Sequence, residues 1–142
     1  MAAVNPYLNF AGNTEEAFNF YKSVFGTEIS RIVRFKDAPN SDQIPAEVQD
    51  KIMHISLPVG NGVLLMATDM IESMGQIIQP GNNFSLSISP TSEEEALHLF
   101  NGLSAGGTIE ASFKKEFWGG YFGMFTDKFG LRWMINYEPN QG

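Results

Sequence analysis

The sequence predicts an α+β domain made of two βαβββ modules, whose strands form a curved, mostly antiparallel eight-stranded sheet with the helices outside. Three observations predict it. The same order of segments occurs twice; each copy opens with a short strand running into an acidic, capped helix; and each closes on two strands joined by a glycine-containing turn. The first module is placed at about 1–69, a linker at about 70–82 and the second module at about 83–142. A chain of 142 residues with 43% hydrophobic content has enough material for one core without disulfides.

In the first half, an apolar segment from Asn5 to Ala11 ends at Gly12-Asn13, and Asn13 precedes Thr14-Glu15-Glu16 as an N-cap precedes a first turn, with Glu16 at the third helical position. Phe18, Tyr21, Val24 and Phe25 then recur at helical spacing, and Gly26 supplies the stop. Glu28 to Phe35 alternates and carries β-branched residues, so it is predicted as a strand, while Lys36 to Gln49 has the Asp, Pro, Asn and Ser content of a loop. Lys51 to Val59 and Val63 to Thr68 are strands joined at Asn61-Gly62, the dipeptide suited to a tight hairpin.

The second half repeats the order. Asn83 to Ser89 is strand-like, Ser92-Glu93-Glu94-Glu95 has the form of a capping box, and Ala96, Leu97, Phe100 and Leu103 make a helical stripe that Gly106-Gly107 ends. Thr108 to Phe113, Gly119 to Thr126 and Leu131 to Tyr137 are the remaining strands, the last two joined by Asp127-Lys128-Phe129-Gly130 with glycine at the left-handed position. Placing Glu15-Glu16-Ala17 on Glu94-Glu95-Ala96 brings Phe18 onto Leu97, Tyr21 onto Phe100 and Val24 onto Leu103. Duplication of one module accounts for that shared register.

Composition closes several functional classes. The chain has no cysteine, hence no disulfide framework, thiolate metal site or cysteine nucleophile, which fits a cytoplasmic protein. No basic n-region leads into an apolar stretch at the start, and no run approaches the roughly 20 apolar residues of a membrane span. A formal charge of −7 with scattered basic residues gives no footprint for nucleic acid or anionic lipid. The 13% aromatic content, twelve residues of it Phe, belongs in a core, an interface or an apolar pocket.

Pro6-Tyr7-Leu8-Asn9-Phe10, Gly12 to Ala17, Phe20-Tyr21, Phe117-Trp118-Gly119-Gly120, Thr126 to Gly130 and Trp133 to Asn136 together resemble PhnB-like proteins of the glyoxalase, bleomycin-resistance and extradiol-dioxygenase (vicinal oxygen chelate) superfamily. The resemblance spans nearly the whole chain, and its C-terminal part is the specific one. It implies the paired βαβββ fold with a concave cleft. Metal-dependent members of the superfamily carry ligands on the first and fourth strands of each module. Matching those positions gives Pro6, Leu65, Asn83 and Met134 here, with Tyr7, Met66 or Phe84 if the register shifts by one. A catalytic divalent ion takes about three His, carboxylate or thiolate ligands, so no metal site and no cofactor is expected. PhnB-like proteins are often labelled demethylubiquinone methyltransferases. The chain nevertheless lacks the glycine-rich βαβ fingerprint that such enzymes usually use for adenosylmethionine, nor does it offer a glycine nest or basic cluster for a phosphonate.

Strand alternation assigns candidate cleft residues. Asn83, Ser85 and Ser87 share one face and Phe84, Leu86 and Ile88 the helix side; Val63, Leu65, Ala67 and Asp69 face the cleft from the fourth strand, as do Arg132, Met134 and Asn136 from the eighth. Leu8 and Phe10 of the first strand are placed on the cleft side. An Asp69–Arg132 pair would fix a polar ligand, the alternative for each being an exposed strand end. His54 points either to the cleft, as an acid, base or hydrogen-bond partner, or to the helix side as a structural residue, while His98 belongs to the solvated side of the second helix. Trp118 in its glycine-flanked aromatic run either stacks on a ligand or packs in a dimer interface, and the second is favoured. The linker from Met66 to Gly81, with Met70, Met74, Ile77 and Ile78, either caps the cleft or crosses to a partner subunit. The expected function is binding of a small apolar or aromatic molecule by a homodimer, with metal-free or unusual-metal catalysis (lyase, isomerase or dioxygenase-like) as the alternative.

Overall fold

In the computed structural model, which describes residues 2–139, the chain runs twice through the predicted order. Strand β1 (Tyr7–Phe10) leads into helix α1 (Thr14–Phe25), followed by β2 (Arg31–Arg34), β3 (Ile52–Gly60) and β4 (Val63–Asp69). The second set is β5 (Leu86–Ile88), α2 (Glu93–Ser104), β6 (Thr108–Lys115), β7 (Tyr121–Thr126) and β8 (Arg132–Tyr137). The strands form two four-stranded mixed sheets, ordered β1-β4-β3-β2 and β5-β8-β7-β6. In each, the first strand pairs in parallel with the last and the other neighbours are antiparallel. Both helices have 12 residues. Two compact units divide between Gln79 and Pro80.

Helix α1 buries Ala17, Phe18, Tyr21 and Val24 at three- and four-residue spacing, and Phe18 meets Phe10 edge-on at 6.4 Å between ring centroids. Gly26 closes the helix with φ of 72° and its N–H on the Lys22 carbonyl at 2.9 Å, a conformation that glycine adopts without a Cβ penalty. The other end departs from the prediction. Asn13 makes no side-chain cap bond; instead Asp69, 55 residues away, accepts the Thr14 N–H at 3.0 Å and the Thr14 hydroxyl at 2.5 Å on Oδ1. Its Oδ2 accepts the Ile52 N–H at 2.8 Å. One buried carboxylate therefore ties α1 to the ends of β3 and β4, and its charge sits at the positive end of the helix.

Helix α2 is capped as predicted by Ser92, whose hydroxyl accepts the Glu95 N–H at 3.0 Å, while the Glu95 carboxylate reaches back one residue further, to the Thr91 N–H. Its stripe differs at one place: Leu99 is buried and Leu97 is exposed. With Ala96, Phe100 and Leu103 inward, position 99 lies within the stripe and position 97 about 100° from Ala96, at its margin.

Arg34 spans from the end of β2 to α1, donating through Nη1 and Nη2 to Glu15 Oε1 and Oε2 at 2.9 and 2.8 Å. These hydrogen bonds hold the Glu15 carboxyl below its ordinary value, against a smaller opposing effect of desolvation. Its contribution to stability is present above the unfolded carboxylate value of about 4.3 and is lost as pH falls through the lower folded value. Because Glu15 is about half exposed, Glu15→Gln should cost under about 1 kcal/mol at neutral pH. Urea denaturation of wild type and variant should converge in acid; a gap that persists below pH 3 contradicts the assignment.

Hairpins follow their turn chemistry. Asn61 and Gly62 both have positive φ, 52° and 76°, as a two-residue hairpin turn of this hand requires. Between β7 and β8, Asp127 Oδ1 accepts the N–H groups of Phe129 and Leu131, and Oδ2 accepts Trp133 Nε1 at 2.8 Å. Trp133 is among the largest fully buried side chains, and its indole N–H needs that acceptor. Asp127→Ala should cost about 2–3 kcal/mol and move the near-ultraviolet circular dichroism band of Trp133; a loss below about 0.5 kcal/mol would show that the turn holds without it.

Candidate functional site

Each sheet has one face under its helix and one face without a helix, and the register decides which residues lie on which. In the first unit, Leu8 pairs with Ala67, Phe10 with Asp69, Ile55 with Ala67 and Leu57 with Leu65. All are buried, and Phe10 touches α1. Leu8, Phe10, Leu65, Ala67 and Asp69, predicted to face the cleft, are therefore on the helix side. In β1 the more apolar parity, Leu8 and Phe10, packs under the helix, and pairing with β1 carries Ala67 and Asp69 of β4 to the same side.

The helix-free face of the first sheet carries the opposite parity: Tyr7 beside Met66, Met66 beside Ser56, and Val33 beside His54. His54 resolves to this side. Tyr7 Oη and His54 Nδ1 are 3.3 Å apart, with ring centroids at 5.8 Å and Tyr7 half exposed. The pair offers a ligand an aromatic edge, one phenol and one imidazole. Among the described residues no carboxylate hydrogen-bonds the imidazole, so the arrangement is a hydrogen-bonding platform rather than an oriented catalytic triad.

In the second unit the parity is as predicted. Leu86 and Ile88 pair with the buried Trp133 and Ile135 on the helix side, while Ser87 pairs with Met134 on the other. Asn136 Nδ2 and Ser87 Oγ are 3.1 Å apart, and Met124 and Phe122 of β7 lie opposite Met134 and Asn136. Asn83 and Ser85, however, precede β5, which has only three residues, and Phe84 is exposed instead of packed under α2. The turn-forming run Pro80-Gly81-Asn82-Asn83 keeps the chain out of the ladder until Leu86.

Arg132 and Asp69 each find partners in their own unit, which corrects the proposed pair. Arg132 Nη1 donates to Glu110 Oε1 at 3.0 Å, and the Thr126 hydroxyl donates to the same oxygen at 2.7 Å. Glu110 went unrecognised in the sequence because a β-bulge falls between Ile109 and Ala111, breaking the strict alternation of β6. Trp118 sits at the β6–β7 hairpin, more than half exposed, with Phe117 edge-on at 5.0 Å and Gly119 at φ 96°. His98 is on the exposed side of α2.

The first-strand and last-strand residues adjacent on the helix-free faces are Tyr7 and Met66 in one unit and Ser87 and Met134 in the other. The set Pro6 and Leu65 is thus displaced by one residue in the first unit. A phenol, a hydroxyl and two thioethers do not fit a catalytic divalent ion, which takes imidazole, carboxylate or thiolate. Among the described residues, no three of His, Cys, Asp and Glu are grouped to hold an ion.

Two βαβββ units with these sheet orders define the glyoxalase and bleomycin-resistance fold. A glyoxalase/bleomycin resistance protein/dioxygenase family enzyme from Burkholderia phytofirmans shares it, with a TM-score of 0.60 at 18% identity over 95% of this chain and 98% of its own. A family model described as 3-demethylubiquinone-9 3-methyltransferase matches residues 2–136, and the chain belongs to this PhnB-like family. It is similar to protein PA1353 of Pseudomonas aeruginosa, at 38% identity and a TM-score of 0.84 over 97% of this chain and 98% of that one. It is also 31% identical to protein YjdN of Escherichia coli K12 over 97% of both. No helix among the described residues is long and apolar enough to cross a membrane.

Proposed function

We propose that this protein binds a small, largely apolar or aromatic molecule on the helix-free faces of its sheets, without a catalytic metal. The observation that carries this reading is the Tyr7–His54 pair beside Met66: an aromatic and thioether surface with two polar atoms for orientation and no donor set for an ion. Met134 with Ser87 and Asn136 adds a surface of the same character in the second unit. The methyltransferase description belongs to the family model; two four-stranded mixed sheets do not provide the doubly wound parallel sheet usual for adenosylmethionine.

Two measurements test it. Added nickel, zinc or manganese should leave the melting temperature unchanged and the purified protein should contain no stoichiometric metal; tight binding of any of them overturns the metal-free reading. In a thermal-shift screen of aromatic compounds, hits should lose roughly fivefold in affinity in His54→Ala, the worth of about one hydrogen bond. The Tyr7–His54 contact also favours a second reading, acid–base catalysis without metal. If His54→Ala leaves every detected turnover intact, that reading is wrong. The exposed Phe117 and Trp118 support a homodimer, which a strict monomer by analytical ultracentrifugation would contradict, and a sequence without cysteine fits the cytoplasm.

A further inference from the structure

Linker residues Met70 to Ser73 and Gln76 to Ile78 line an open cavity of about 570 Å³ together with other residues of their own unit. This volume lies in the range of small-molecule sites. Val48 and Ile71, both buried, and the half-buried Ile78 supply its apolar walls. Glu47 and Glu72 stand on its rim, both exposed. Neither carboxylate has an ion-pair partner among the described residues. Among the described residues Lys51 is the one lining cation, and its Nζ donates to the Gly12 carbonyl at 2.8 Å.

We propose that this cavity is a second binding site, distinct from the sheet faces, for a small organic cation: an apolar body carrying a protonated amine. The apolar walls cover one side of the body of such a ligand, and burial of that apolar area drives entry. The two carboxylates set the sign of the charge that follows, because they outnumber the single ammonium of Lys51, which is drawn towards the Gly12 carbonyl. Both carboxylates are in water, so they select among ligands of similar shape more than they add to the affinity. The formal charge of −7 on the chain favours approach of a cation in the same sense. This site does not depend on the function proposed above.

The test uses three probes with one ring system: 1-naphthylmethylammonium, 1-naphthylmethanol and 1-naphthoate. Methyl-resolved NMR of the whole chain follows Val48, Ile71 and Ile78, with Met66 and Met134 reporting on the sheet faces. The ammonium should shift the three cavity methyls and bind roughly three- to tenfold more tightly than the alcohol, with naphthoate weakest. Glu47→Gln/Glu72→Gln should erase the preference, and so should salt near 0.5 M acting on the unaltered protein. Equal binding of the three, or tightest binding of naphthoate, overturns the charge assignment. If no probe moves the cavity methyls the site does not exist, and if shifts appear only at Met66 or Met134 the sheet-face reading stands while this one fails.

Discussion

Asp69→Ala should lose about 3–5 kcal/mol of stability in urea denaturation. The carboxylate is buried at 2% exposure and accepts three hydrogen bonds, from the N–H and hydroxyl of Thr14 and the N–H of Ile52. Truncation leaves two backbone N–H groups without partners in a space too apolar to solvate them. An unsatisfied buried donor costs about 1–3 kcal/mol, more than the hydrogen bond itself contributes when formed. Removing the negative charge from the first turn of α1 adds to that cost. Asp69→Asn, which keeps an oxygen acceptor and drops the charge, should recover part of the loss. A change under about 1 kcal/mol for Asp69→Ala would mean that Asn13 takes over the cap, as the sequence alone suggests.

Gly107→Ala should be at least as damaging, by about 3 kcal/mol or more. A Cβ on Gly107 would collide with the carbonyl oxygen of Thr126 and come within 2.9 Å of the Asp127 Cα and carbonyl carbon. These are backbone atoms at the end of β7, opposite the start of β6, and they cannot turn aside as a side chain does. Relief requires the two strands to separate where Thr108 pairs with Thr126. Gly119→Ala is the matched control: φ there is 96° and nothing lies within 4 Å of the added carbon, so only the left-handed backbone penalty of about 1–2 kcal/mol applies. If the two variants lose the same amount by chemical denaturation, the close approach at Gly107 has no energetic weight.

The two glycines mark a boundary in what the chain reveals of itself. Gly26, Gly62 and Gly130 were legible from their neighbours, because a helix end or a tight turn demands positive φ within three or four residues. Gly107 was legible only as a helix terminator, since its crowding comes from residues 126 and 127, brought there by strand pairing. The same holds for polar groups. Ser92 was recognised as a cap because its partner, the Glu95 N–H, is three residues on. Asp69 acts on Thr14, 55 residues away, and Glu110 on Thr126 and Arg132, 16 and 22 residues away, so neither role is legible in the local sequence.

For the candidate site the limit is one of parity. Alternation in β4 separates Leu65, Ala67 and Asp69 from Leu64, Met66 and Thr68 without saying which set meets the helix, because both contain apolar residues. In β8 the alternation of Trp133 and Ile135 with Arg132 and Asn136 is unequal enough to decide it. The Tyr7–His54 pair needed β1, β4 and β3 laid side by side, 47 residues apart in the chain.

By itself the sequence determined the doubled βαβββ order, the two helices, their C-terminal and serine caps, the Asn61-Gly62 hairpin and the family resemblance. These rest on hydrophobic periodicity and on hydrogen bonds closed within a few residues, which the local chain carries with it. Only the tertiary structure decided which face of the first sheet is buried, that Asp69 caps α1, that Arg132 pairs with Glu110, and that the linker lines an open cavity. Each of those depends on strand register, and register is fixed by the sum of side-chain burial across a whole sheet rather than by any one segment.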